Sequence, residues 1–267
     1  MLRGLYTGAS GMLATMDQMD VISNNLANVS TAGFKRDGAT FAEMMEMNIR
    51  RTYDNVVDVP AGTIDRRPEV GPLGTGTVVD TVYTDFSQGA LRETGNTLDL
   101  ALAGEGFYEI ETAQGMRYTR DGGFQVNAQG YLVDKMNNPV RVTLPNGTIG
   151  PVQITDPNVS VGVDGTLAQG DPTDGTQQQL GTLRIVDFTD RRALRKVGDN
   201  YYAAEQATLT EAPAATQVQQ GYQEQSNVNA VREMVRMIEV HRLYGIEEKI
   251  ITTQDGLLSK AMDIPRS

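Results

Sequence analysis

A histidine beside a carboxylate is the commonest way to build a general base near neutral pH, and this chain has a single histidine, His241. It falls in the run Val240-His241-Arg242-Leu243-Tyr244, among apolar neighbours at helical spacing, so a packed or interface position is expected there. Gly71-Pro72-Leu73-Gly74-Thr75-Gly76 has the glycine content of a phosphate-cradling loop but no Lys-Ser/Thr after it, which makes it a turn. Asp171-Pro172-Thr173-Asp174-Gly175 lacks the ligand spacing of a calcium loop and is expected to be a surface turn. The 34 Asp and Glu residues offer many pairs for acid and base chemistry of the glycosidase kind, yet no spacing singles out two of them. With no cysteine, disulfides, thiolate-ligated metals and thiol nucleophiles are excluded. The expectation is a non-enzyme with no catalytic, metal or cofactor-binding residues and no cofactor.

If side chains do not carry chemistry, the elements that carry them must carry the function. Leu2, Leu5, Ala9, Met12, Met16, Met19, Ser23 and Leu26 recur at alternating steps of three and four, a heptad seam on a first helix. The helix should stop near Asn28, where Asn24-Asn25-Leu26-Ala27-Asn28-Val29-Ser30-Thr31-Ala32-Gly33 competes for backbone hydrogen bonds. Gly33 is expected to take a positive φ and to turn the chain so that the aromatic Phe34 anchors it.

A second helix is expected from about Ser226 to Met262. Its apolar residues include Val231, Met234, Val235, Met237, Ile238, Val240, Leu243, Tyr244, Ile246, Ile250, Ile251, Leu257 and Leu258, more than one face of a helix can hold. One partner helix covers one stripe, so the remainder is assigned to other subunits. The candidate assembly residues are therefore Leu5, Met12, Met16, Met19 and Leu26 on the first helix and Val231, Val235, Ile238, Leu243 and Ile250 on the second. Asn25, Asn28, Gly33 and Phe34 are the candidate turn.

Between the helices, Phe41 to Arg51 can continue as helix, and Pro60, Gly62, Pro68, Gly71, Pro72, Gly74 and Gly76 then punctuate an extended stretch. Short β-type runs follow, such as Phe107-Tyr108-Glu109-Ile110-Glu111 and Leu183-Arg184-Ile185-Val186, with turn dipeptides at Asn146-Gly147 and Asp164-Gly165. Turns at this spacing suggest a β sandwich or barrel-like unit. The fold class is α+β: N- and C-terminal helices in a coiled-coil-like assembly domain, with an all-β domain inserted between them. The divisions are 1–35 for the N-terminal helix and turn, 36–97 for a connector, 98–202 for the β domain, 203–225 for a linker and 226–267 for the C-terminal helix.

Composition narrows the partners. The chain has 267 residues with 23 Lys and Arg against 34 Asp and Glu, a net charge of −11, which repels a phosphate backbone and argues against nucleic acid. Apolar residues make up 39% and aromatic ones only 6%, so the core is expected to be mainly aliphatic. No apolar run is long enough for a membrane span, and Gly8, Ser10, Gly11 and Thr15 interrupt any signal-peptide core, so neither membrane insertion nor a cleaved leader is expected.

Three blocks carry a resemblance. Ser23-Asn24-Asn25-Leu26-Ala27-Asn28-Val29-Ser30-Thr31-Ala32-Gly33-Phe34-Lys35-Arg36 resembles the N-terminal signature of bacterial flagellar rod and hook proteins. Leu98 to Tyr108, with Tyr118-Thr119-Arg120-Asp121-Gly122-Gly123-Phe124, is similar to the start of that family's β domain, and Gln220 to Val235 is similar to its C-terminal block. The resemblance implies a structural subunit of the flagellar basal-body rod that polymerises helically into a hollow drive shaft and transmits torque from motor to hook. It implies export through the flagellar type III channel without a cleaved signal peptide, to a periplasm-spanning rod. The implied partners are the protein itself, other rod subunits, the hook protein, the flagellar ring proteins and the export apparatus. Two other classes are a secreted adhesin or binding module that uses the β domain as a ligand platform, and a glycan hydrolase.

Overall fold

The computed structural model describes residues 2–50, 56–59, 62–65, 69–156, 158–170, 177–204, 208–211, 213 and 215–262. Among the described residues the fold is α+β, with two α-helices, one short 3-10 helix and many short strands. It divides into two compact units, one of Met1–Asn24, Asp37–Tyr83 and Val231–Ser267, the other of Asn25–Arg36 and Thr84–Ala230. The Asp171 to Gly175 turn lies outside the described residues.

In the first unit, helix α1 spans Leu2–Ala27 and helix α2 spans Ala230–Met262. Three glycines in α1 each weaken an isolated helix by about 1 kcal/mol relative to Ala. Their use is close approach. A Cβ on Gly4 would lie 2.2 Å from the Gln254 side chain, one on Gly8 3.1 Å from Ile251, and one on Gly11 2.6 Å from Glu247. The partners descend in number as the glycines ascend, so the helices run antiparallel.

Among the described residues, a ribbon of strands in the same unit, its last residue apart, comprises β1 (Asp37–Glu43), β2 (Met47–Arg50), β3 (Val56–Val59), β4 (Gly62–Asp65), β5 (Glu69–Leu73) and β6 (Thr77–Thr84). β1 pairs with β6, β2 with β5 and β3 with β4. The helix expected over Phe41 to Arg51 is thus replaced by β1 and β2; Arg51 itself is outside the described residues. Ala42-Glu43-Met44-Met45-Glu46-Met47 has good helix propensity, but pairing with β5 and β6 supplies hydrogen bonds that local propensity cannot. Gly71 to Leu73 likewise belongs to β5 rather than to a turn, and Met44 N donates to Gly76 O at 2.9 Å where the ribbon changes pairing.

In the second unit a six-stranded sheet runs in the order Arg195–Lys196, Tyr201–Ala203, Gly115–Thr119, Phe107–Thr112, Ile185–Phe188, Leu209–Glu211. A five-stranded sheet runs Ile149–Pro151, Arg141–Thr143, Gln178–Leu183, Thr166–Gln169, Val159–Val161. Alternation along Phe107–Thr112 sends Phe107 into an aromatic cluster with Tyr118, Phe188 and Tyr202, and Tyr108 and Ile110 into an aliphatic one with Leu100, Leu132, Val140 and Leu167. The core is therefore mainly aliphatic in one part only. The few aromatics are concentrated, with Phe86 edge-on to Phe107 at 5.5 Å and Tyr118 edge-on to Phe188 at 4.9 Å.

Parts of the expected connector and linker are structural. Leu91–Glu93 pairs with Tyr222–Glu224, and Leu100–Ala103 pairs with Gln217–Gln220. Gln220 then reaches across, with Nε2 donating to Thr97 O at 2.8 Å and Val159 O at 2.9 Å. A stretch of Ala, Thr, Glu and Gln without periodicity gave no sign of this, because the strands are short and bounded by turns.

Candidate functional site

The turn after α1 is built by its own side chains. Thr31 N donates to Asn28 O at 3.2 Å and Thr31 Oγ1 to Asn28 Oδ1 at 3.1 Å, while Asn25 is buried. Gly33 follows with φ 69°, the left-handed region. A Cβ there would stand 2.5 Å from Asp121 N and 2.6 Å from the Arg120 carbonyl carbon, so backbone blocks any side chain. Phe34 is buried beneath Lys196, whose Nζ lies 4.1 Å from the ring centroid and donates to Lys35 O at 2.5 Å. Asn28, Gly33 and Phe34 thus lie in or beside this turn, and Asn25 lies in the last turn of α1.

The residue after Phe34 opens onto a charge cluster that sequence reading missed. Lys35 Nζ meets Glu224 Oε1 at 2.5 Å, with both side chains 1% exposed, and also donates to Ser87 O at 2.8 Å. Glu224 Oε1 accepts from Gly89 N at 2.8 Å, and Oε2 faces Arg120 Nη1 at 3.4 Å. The Glu224 carbonyl takes the Gly33 N–H at 2.8 Å. Burial pulls Lys35 below the ordinary lysine value and the Glu224 charge opposes that pull; burial also lowers Arg120. All three residues stand inside the quoted sequence blocks. Nothing in one sequence marks a charge as buried, because the partners are far apart in number.

The helix faces have a different character. Along α2 the covered positions are Ala230, Glu233, Met237, Val240, Tyr244, Glu247, Ile251, Gln254 and Leu258, steps of three and four without exception. Several are polar, and Thr15 Oγ1 donates to Glu247 Oε2 at 3.1 Å. Val231, Val235, Ile238, Leu243 and Ile250 are all exposed, as are Met234, Ile246 and Leu257. On α1, Met16 is exposed and Leu5, Met12, Met19 and Leu26 are partly covered. Within one chain the α1–α2 contact recorded at the glycines runs through Gly4, Gly8, Gly11 and Thr15 against Gln254, Ile251 and Glu247. The apolar residues of α2 mostly face outward. Five of them are the α2 residues that the sequence assigns to contacts between subunits.

His241 is exposed on α2. Among the described residues, no group of three His, Asp or Glu is placed to hold a metal ion, and no helix is long and apolar enough to cross a membrane.

This arrangement, an N-terminal helix and turn, a β unit and a C-terminal helix, coincides with three family descriptions. Residues 5–35 match the flagella basal body rod protein family, residues 101–169 the flagellar hook protein FlgE/F/G D1 domain, and residues 219–264 the flagellar basal body rod FlgEFG protein C-terminal family. The chain is 34% identical to the flagellar basal-body rod protein FlgG of Bacillus subtilis over the whole of both chains. It is 35% identical to FlgG of Buchnera aphidicola subsp. Schizaphis graminum, over 97% of this chain and 98% of the relative. To the rod protein FlgF of Caulobacter vibrioides it is 33% identical, over 97% of this chain and 96% of that one. The chain belongs to the flagellar basal-body rod protein family.

Proposed function

We propose that this protein is a structural subunit of the bacterial flagellar basal-body rod and assembles with other rod and hook components. The observation that carries this reading is the outward stripe of Val231, Met234, Val235, Ile238, Leu243, Ile246, Ile250 and Leu257, each at least 45% exposed. A stripe of that size on a chain in water marks an interaction surface.

The finer reading is that the terminal helices form a coiled-coil-like assembly domain and that the β-rich middle is inserted between them. The strict three-and-four spacing of covered positions on α2 supports it. Copies joining through unlike faces make a heterologous contact, which propagates as a helix instead of closing. The candidate seam residues Leu5, Met12, Met16, Met19, Leu26, Val231, Val235, Ile238, Leu243 and Ile250 are the ones we assign to contacts between copies. The assembly would be a hollow shaft that carries torque to the hook and crosses the periplasm, reached by type III export without a cleaved signal peptide. Contacts with ring proteins and the export apparatus, and the absence of nucleic-acid binding, membrane insertion and enzymatic activity, belong to the same reading. Gln220-Gly221-Tyr222 and the long connector at 50–76 favour the distal rod member, while Val231-Arg232-Glu233-Met234-Val235 fits the larger proximal one about as well.

The test is complementation of a strain lacking the corresponding rod gene. Swimming restored by the wild-type chain and lost with Ile238→Asp, while the purified variant keeps its circular dichroism spectrum, is the expected result. An isolated protein that stays monomeric at all concentrations and restores no motility would overturn the reading.

A further inference from the structure

The β unit contains an open cavity of about 470 Å³ that the assembly reading does not use, walled by Phe86, Gln88, Gly104, Glu105, Arg120 and Arg191. Gln88 is a fixed wall, because Nε2 donates to Leu102 O at 3.0 Å and Oε1 accepts from Gly104 N at 3.2 Å. Arg191 is fully engaged. Its Nε and Nη2 donate to Asp187 at 2.9 and 2.7 Å, and Nη1 donates to Glu105 at 3.0 Å.

Arg120 is the exception. It is 4% exposed; among the described residues its ion pair is the long 3.4 Å contact to Glu224 and its Nε has no hydrogen-bond partner, while the guanidinium carbon lies 5.3 Å from the Phe107 ring centroid. Glu224 is already committed to Lys35 and Gly89, so two buried cations share one carboxylate. A guanidinium in that state gains most from a second planar acceptor with negative charge.

We propose that this cavity is a carboxylate-binding site, with Arg120 as the cation and the Phe86 ring as the apolar wall for the ligand's carbon chain. The carboxylate is either a free monocarboxylate ion or an Asp or Glu side chain of a second copy. A chain with 34 acidic residues against 23 basic ones offers carboxylates more readily than any other charged group. The second source rests on the assembly reading, the first does not. Glu105, on the exposed rim, opposes entry by like charge, and hydrogen bonding to Arg191 lowers the Glu105 carboxyl below its usual value.

The experiment is acetate binding to the purified full-length chain, followed by saturation-transfer NMR at constant ionic strength with chloride as the balancing anion. Saturable binding is expected, with Glu105→Gln lowering the half-saturating concentration about threefold through loss of a rim charge, and Arg120→Gln abolishing it. Glu105→Gln alters an exposed side chain, so it remains informative if Arg120→Gln fails to fold. No binding to either the wild type or Glu105→Gln overturns the site, as does unchanged binding by a folded Arg120→Gln. Acetate that raises the concentration needed for assembly identifies a neighbour's carboxylate as the natural ligand. Acetate that binds without affecting assembly supports the site with a free ion as its ligand. Failure of assembly under every condition counts against the rod reading and leaves the site standing.

Discussion

Lys35 and Glu224 stand 189 positions apart in sequence and 2.5 Å apart in space, both closed off from water. The pair joins the segment that leaves α1 to the strand that precedes α2. Because Arg120 leans on the same carboxylate, the two partners are not equivalent. Glu224→Gln leaves two buried cations facing each other and should cost about 3 to 5 kcal/mol. Lys35→Met leaves a one-to-one pair of Arg120 with Glu224 and should cost clearly less. Urea denaturation of the two variants checks the order; equal losses would show that Arg120 is not part of the cluster.

At Gly33 two penalties coincide, the positive φ and the wall of Arg120 and Asp121 backbone. Gly221 isolates the first, since its φ is 81° and a Cβ there meets nothing within 4 Å. Gly221→Ala should therefore cost about 1 to 2 kcal/mol of strain alone, and Gly33→Ala distinctly more. Similar values in a thermal melt would mean that the backbone beside Gly33 yields at little cost.

Met16→Asp and Val235→Asp change exposed positions of α1 and α2. In a single chain each should lie within about 0.5 kcal/mol of wild type. In the polymer the same charge would be buried without a partner and assembly should fail. Motility with a normal melting temperature in either variant would remove that residue from the interface.

Tyr108, Tyr118 and Tyr201 all have phenols pushed above their ordinary value of 10, chiefly by burial. In the unfolded chain they ionise near 10. A raised folded value means that the unfolded state loses protons first, so stability is complete below pH 10 and falls as pH rises through and beyond it. An ultraviolet titration should show Tyr108, Tyr118 and Tyr201 ionising at higher pH than the exposed tyrosines of the folded protein. All tyrosines titrating together in folded protein would contradict the burial.

The two helices, the β-rich middle and the turn at Asn28 to Phe34 are legible in the sequence, because each rests on local chemistry: spacing, turn dipeptides and cap residues. Two features are not. The strands β1 and β2 lie where Ala, Glu and Met favour helix, and their pairing partners β5 and β6 lie beyond two further strands. The inward seam of α2 carries Glu233, Glu247 and Gln254, while Val231, Ile238 and Ile246 turn outward. That part of α2 would lie outward follows from its having more apolar residues than one face can hold; that its covered seam includes two glutamates and a glutamine does not, because polar residues at covered helix positions leave no signal in hydrophobic spacing.

The strands Gln217–Gln220 and Tyr222–Glu224, which close the β unit against Leu100–Ala103 and Leu91–Glu93, come almost last in the chain. A polypeptide delivered N-terminus first holds residues 91 to 103 without their partners until some 120 further residues have followed. Closing so large a loop is entropically costly and slow, and contacts of such separation set the pace of folding. Completion of this unit is thus timed by delivery of the last fifth of the chain, which keeps the edges of the earlier strands unpaired for the whole of that interval.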